Sequence, residues 1–219
     1  MRGYGDLRVP HDNELAKFDF LRELALELGA ADAKIIPASK VVVEDRVVLK
    51  CRFGCKDYGK TLACPPYTPT ASEFRKIVSE YNYAMFMKFK SKAEADVELQ
   101  QNLSKPENDP MLSEDVRERV KKFWATWKED KRWMLETVVR LEKAAMSRGY
   151  PLAVGFISGS CQLCEKCDLE TRICRHPEMA RPSEDALGVN VRKTAQNAGI
   201  EVTFPFAKNP ESFALLLID

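Results

Sequence analysis

The apolar positions of the chain fall into blocks with two different periods. Leu15, Phe18, Leu21, Leu24, Ala25 and Leu28 recur at helical spacing. Asp12 and Asn13 offer side-chain oxygens to the unpaired N–H groups at the start of that helix, and Gly29 ends it. Ala33–Ile36 then reads as a short strand. Two β-branched runs, Val41–Val43 and Val47–Leu49, predict a tight hairpin or a kinked strand around Glu44-Asp45-Arg46. A helix from Ser72 to Tyr81 and a strand over Tyr83–Phe89 follow, and a polar excursion runs from Ser91 to Pro110.

The longest pattern lies beyond it. Val116, Val120, Phe123, Trp124, Trp127, Met134, Val138, Leu141 and Ala145 keep a 3.6-residue period, with Ser113 as cap and Gly149 as stop. That periodicity assigns Trp124, Trp127 and Trp133 to packing rather than to stacking on a cofactor. Leu152–Ile157 is a buried strand, Pro182 and Glu184-Asp185 open a helix that ends near Gly199, and strands near Glu201–Phe204 and Phe213–Ile218 close the chain.

The order β-α-β followed by α-β-β predicts an α+β fold, a mixed sheet covered by helices on one face with ferredoxin-like β-α-β elements. The right-handed crossover rule would bring the strands near 83–89 and 151–157 close together. No compositional break divides the chain, so residues 1–219 read as one domain.

Composition narrows the function. The 219 residues carry 34 Lys+Arg against 33 Asp+Glu, a formal net charge of +1. A balance this even gives no sign of the basic face that broad nucleic-acid binding uses. No apolar run approaches the roughly 18 residues a membrane span requires, and no apolar h-region follows the basic residues near Met1. These features predict a cytoplasmic protein, and in a reducing compartment clustered cysteines read as metal ligands or catalytic thiols rather than disulfides.

The seven cysteines form two groups. Cys161, Cys164, Cys167 and Cys174 follow the pattern C-x2-C-x2-C-x6-C in a segment spanning residues 161–182. Two intervening residues let successive thiolates curl around one centre, which favours a [4Fe-4S] cluster. Zinc is the rival, although all-cysteine zinc sites usually set their two pairs further apart. In two-cluster ferredoxins the fourth cysteine of such a run ligates the other cluster, so Cys174 is open to either assignment. Cys51, Cys55 and Cys64 follow C-x3-C-x8-C in a Gly- and Pro-rich loop over residues 51–70. Three donors without a fourth leave an open coordination position, the arrangement that separates catalytic from closed metal sites. Arg52, Lys56, Lys60, Arg172, Arg175 and Arg181 form a cationic surround that balances thiolate charge or draws in an anionic ligand. His176 reads as a group that positions a ligand, and His11 as solvated surface.

Both motifs carry a resemblance. Cys51-Arg-Phe-Gly-Cys55 with Cys64-Pro65-Pro66, and Cys161-x2-Cys164-x2-Cys167 leading into Cys174-Arg-His-Pro-Glu-Met-Ala-Arg-Pro-Ser, resemble the domain of unknown function 2284 family. The resemblance runs from about Ala33 to the C terminus. It implies a cysteine-bound metal centre in an anaerobic, cytoplasmic setting and no particular reaction. The expectation is therefore an iron–sulfur protein with one [4Fe-4S] cluster, or two. It would act in electron transfer with a redox partner, or in a reductive or sulfur-transfer reaction on a small, anionic molecule. Two alternatives stand beside it: a zinc-binding module that organises a protein partner, and a metal-free thiol sensor with an acidic Cys51 or Cys55.

Overall fold

A computed structural model describes residues 12–105 and 109–219. Helix α1 (Asp12–Leu15) passes through a 3-10 turn at Ala16–Phe18 into α2 (Asp19–Glu27), and β1 (Asp32–Pro37) follows. Next come α3 (Leu49–Gly54), α4 (Ala71–Glu80), β2 (Tyr83–Lys90), α5 (Val97–Asn102) and the long α6 (Glu114–Met146). The chain closes with β3 (Val154–Ile157), α7 (Val191–Ala198) and β4 (Glu211–Ile218). The expected capping roles of Asp12 and Asn13, and the surface assignment of His11, lie outside the side chains described.

The α+β class stands, but the sheet is not mixed. Its order is β1-β2-β4-β3 and each pairing is antiparallel. The last strand inserts between β2 and β3, so the two strands expected to be neighbours are held apart by it. Both are antiparallel to β4 and therefore run the same way, with α6 crossing between them as a split β-α-β unit. The central place suits β4, because Ser212–Ile218 are buried without interruption and only a strand covered on both faces can bury every residue.

Helices accordingly cover both faces rather than one. Met85, Met87, Ala214 and Leu216 pack with Phe18, Leu21 and Ala25 of the N-terminal helices and with Met134, Val138 and Leu141 of α6. Ala84, Phe86, Leu215 and Leu217 face the other way, onto Phe74 and Val78 of α4 and Ala195 of α7. This is the period-2 alternation of strands expressed as two cores. Where α6 crosses β3 the backbones approach closely. A Cβ on Gly155 would stand 2.1 Å from Val138 Cγ1 and 3.0 Å from Glu142 Oε1. Gly155→Ala should therefore destabilise the fold by about 1–3 kcal/mol through overpacking. A urea midpoint lowered at constant slope is the corresponding readout.

Three other local expectations are corrected. Over 41–49 neither the hairpin nor the kinked strand forms. Val43 bridges Val189, and the chain then turns through a 3-10 segment, Asp45–Val48, into α3. Glu44 fixes that turn, accepting from Arg46 Nε at 2.8 Å, Lys193 Nζ at 2.6 Å and Asn190 Nδ2 at 2.8 Å. No strand forms near 201–204, where the Thr203 N–H is met by the Glu211 carboxylate at 3.0 Å instead of by a neighbouring strand. The helix expected from Pro182 is a 3-10 turn, Asp185–Leu187, closed by Gly188 at φ +83°, and α7 starts afresh behind its cap Asn190. The polar excursion is ordered over part of its length, because α5 packs Leu99 against Val116, Val120 and Phe123 of α6.

Two of the three tryptophans pack: Trp127 stacks on Phe123, and Trp133 Nε1 donates to the Leu28 carbonyl at 3.1 Å, whereas Trp124 is exposed and meets Phe123 only edge-on. Helix α4 is closed by a capping box between Thr70 and Glu73.

Glu44 sets a pH dependence. Hydrogen bonds from Arg46, Lys193 and Asn190, in that order, lower its pKa from 4.5 to about 2. A depressed carboxyl stabilises the folded state above its unfolded pKa and loses that contribution as the pH falls through the folded one. Thermal melts should thus show a loss between about pH 4.5 and 2 that is smaller in Glu44→Gln.

Candidate metal centre

Both cysteine groups lie beyond the C-terminal end of β3. Ser158 pins the departing chain, since its Oγ donates to the Phe213 carbonyl at 2.9 Å and accepts from the Phe213 N–H at 3.0 Å. Lys131 Nζ, reaching from α6, donates to the Ser158 carbonyl at 2.7 Å. Two residues on, Ser160 Oγ donates to Asp57 Oδ2 at 2.7 Å and ties the second cysteine loop to the first.

In the first loop Cys51 lies on α3 and Cys55 immediately follows it. Residues four apart share one helix face, so C-x3-C aligns the two thiols. The whole of residues 51–70 was expected to be loop, and this helical turn corrects it. Cys64, buried, closes a turn in which its N–H donates to the Thr61 carbonyl at 3.1 Å. The three cysteines line one cavity of about 130 Å³, together with Tyr58, Ser160 and Asp185.

The second loop is irregular. Its backbone is held by side chains: the Thr171 N–H donates to Asp168 at 3.0 Å, and Arg175 Nη1 donates to the Lys166 carbonyl at 3.3 Å. Cys161 stands near enough to Cys167, Cys174 and Cys164 for their charges to act on it, and Cys64 of the first loop feels Cys161 in turn. Cys161 also borders a second cavity of about 430 Å³, lined by the apolar Leu135, Ile157, Leu163 and Met179 and by the charged or titratable Glu129, Lys131, Glu136 and His176 among others. That volume lies within the range of small-molecule sites.

Burial acts on three of the thiols. It pushes Cys51 up to about 11, helped by the negative charge of Asp185, and raises Cys64 and Cys161 as well. A Leu163 N–H directed at Cys161 works against the rise there. A raised thiol is the opposite of an activated nucleophile, so Cys51 does not fit the metal-free sensor. The cationic surround is also smaller than expected. Arg181 is paired with Glu142, Arg175 serves the backbone, and the Arg172 guanidinium lies 5.8 Å from the Tyr67 ring centroid.

Among the described residues no three His, Cys, Asp or Glu side chains are gathered closely enough to hold a single ion. The first-loop thiols stand around a space of about 130 Å³, room for more than a single water-sized group. That space suits a polynuclear cluster, and an all-thiolate donor set suits iron–sulfur or zinc.

Sequence reading missed Asp185, taken only as part of a helix start, and the buried Glu142–Arg181 pair. A signal for Glu142 existed: it lies four residues after Val138 and three before Ala145, on the apolar stripe of α6. It also missed Glu184, a fully enclosed carboxyl that burial raises well above its ordinary range.

A family model described as "Predicted metal-binding protein (DUF2284)" matches residues 34–218, a stretch containing both cysteine loops. No curated protein and no solved structure matches the chain. Among the described residues, no helix is long and apolar enough to cross a membrane.

Proposed function

The chain belongs to the DUF2284 family of predicted metal-binding proteins, and from that premise we propose that it is an iron–sulfur protein with two neighbouring centres. Cys161, Cys164, Cys167 and Cys174 hold a [4Fe-4S] cluster, and Cys51, Cys55 and Cys64 hold a second. What supports the reading is that Cys51, Cys55 and Cys64 line one cavity, that Cys161 lies within electrostatic reach of Cys164, Cys167 and Cys174, and that Cys64 lies within such reach of Cys161. Clusters of this kind supply single electrons or an iron able to polarise a bound group.

The chain's own residues supply the rest. Ser160 and Asp57 keep the loops in register, and the Leu163 N–H favours an ionised Cys161 sulfur. Leu135, Ile157, Leu163 and Met179 form the apolar part of the cavity beside Cys161, where Lys131 and His176 can orient a small, anionic molecule. A cavity against a ligand residue favours a reductive or sulfur-transfer reaction on such a molecule over electron carriage to a redox partner alone. The setting is cytoplasmic and anaerobic.

Anaerobic reconstitution with iron and sulfide, followed by visible absorbance and iron and sulfide analysis, tests the proposal. It expects a brown protein with about eight irons per chain by cube stoichiometry. A colourless protein with stoichiometric zinc and no iron would overturn it in favour of a zinc-binding module that organises a protein partner.

A further inference from the structure

Three thiolates leave one corner of a cube without a protein donor. We propose that Asp185 is that donor, so that the first centre is held by Cys51, Cys55, Cys64 and one carboxylate. The assignment rests on the iron–sulfur reading of the first loop.

The fold carries Asp185 to the site from the far side of the sequence. Ile157 and Ser183 form an isolated parallel bridge, and the Glu184 N–H donates to the Ile157 carbonyl at 3.3 Å. These contacts lay the 3-10 turn that begins at Asp185 against the end of β3, facing α3. Asp185 lines the same 130 Å³ cavity as the three cysteines, and its charge acts on the Cys51 thiol.

Its carboxylate is also available. Among the described residues none donates a hydrogen bond to it or pairs with it within 4 Å, although it is partly buried. The charge of Lys131 reaches it only from beyond ion-pair distance. A partly buried carboxylate without a hydrogen-bond donor keeps its lone pairs free for coordination. The other oxygen donors on the wall are poorer. The Ser160 hydroxyl is spent on Asp57, and the Ser183 hydroxyl accepts the Ala186 N–H at 3.1 Å. The phenol of Tyr58 is a single oxygen, whereas a carboxylate offers two. Lys50, on the same wall, supplies a compensating positive charge.

The test uses Cys161→Ser as background, which isolates the first-loop centre, with anaerobic reconstitution, iron and sulfide counts, and electron paramagnetic resonance after reduction. The background protein should keep about four irons. Adding Asp185→Ala should lower that count and change or abolish the signal. Adding Asp185→Cys should keep the count while shifting the signal toward that of an all-thiolate cluster. An unaltered count and signal in Asp185→Ala would overturn the proposal. Should that variant not fold, an unaltered signal in Asp185→Cys would do the same. A background protein devoid of iron, beside a wild type holding about four, would show instead that the first loop holds no cluster, and the proposal would fall with that reading.

Discussion

Replacing Cys161 by serine is expected to remove about half of the iron and sulfide bound after anaerobic reconstitution, from about eight irons per chain to about four. Visible absorbance should fall in proportion. Cys161 lies within electrostatic reach of the other three thiols of its loop, and only three residues separate it from the end of β3. A serine hydroxyl at that position keeps the shape but does not ionise as a thiol does, so the centre loses an anionic corner. Cys51→Ser should remove the other half, because Cys51 lines a different cavity. Paired elemental analysis of the two variants separates three arrangements. Two independent losses of half indicate two clusters. Loss of everything in both indicates one shared centre, and unchanged iron in Cys51→Ser removes the first loop from the ligand set.

The second large effect is on stability. Arg181→Met should cost about 3–5 kcal/mol, because it strands a carboxylate in a nearly dry site. Arg181 Nε donates to Glu142 Oε1 at 2.6 Å while its Nη2 donates to Oε2, and the two side chains are only 15% and 6% exposed. Glu142 Oε1 also accepts the Gly155 N–H at 2.6 Å, so the pair joins α6, β3 and the far end of the cysteine loop. For a chain of this size each kcal/mol lowers the melting temperature by roughly 2–4 °C, which predicts a fall of roughly 6–20 °C by calorimetry. Arg181→Met combined with Glu142→Gln should recover part of the loss, since no uncompensated charge then remains. Arg181 Nη1 further donates to the Ala180 carbonyl at 2.8 Å, so the single variant should also load its second-loop centre less completely.

Long, regular elements were legible because their signals are local and repeated. Helix α6 starts behind Ser113 as its apolar period requires, and the strand over 83–89 is β2 with one residue added. Short segments were misread where one distant contact outweighed propensity. Val47, β-branched and expected in a strand, is buried in a 3-10 turn because Glu44 is held by Asn190 and Lys193. Four residues near 201–204 had the composition of a strand but do not join the sheet: the nearby β4 is already paired on both sides, and the Glu211 carboxylate meets the Thr203 N–H instead.

The candidate chemistry divides in the same way. Spacing alone sorts seven thiols into a tight four and a looser three, and it accounts for their grouping, since ligands within one loop need only be near in sequence. Spacing could not say that the two groups lie together, that Asp185 faces the looser one, or that Arg181 is spent on Glu142. The bond from Ser160 to Asp57 spans 103 residues, and it exists because β4 enters between β2 and β3 and delivers the end of β3 to the first loop. Donor chemistry is a property of residues close in the chain. The meeting of donor sets is a property of strand order, which only the packing of two complete cores determines.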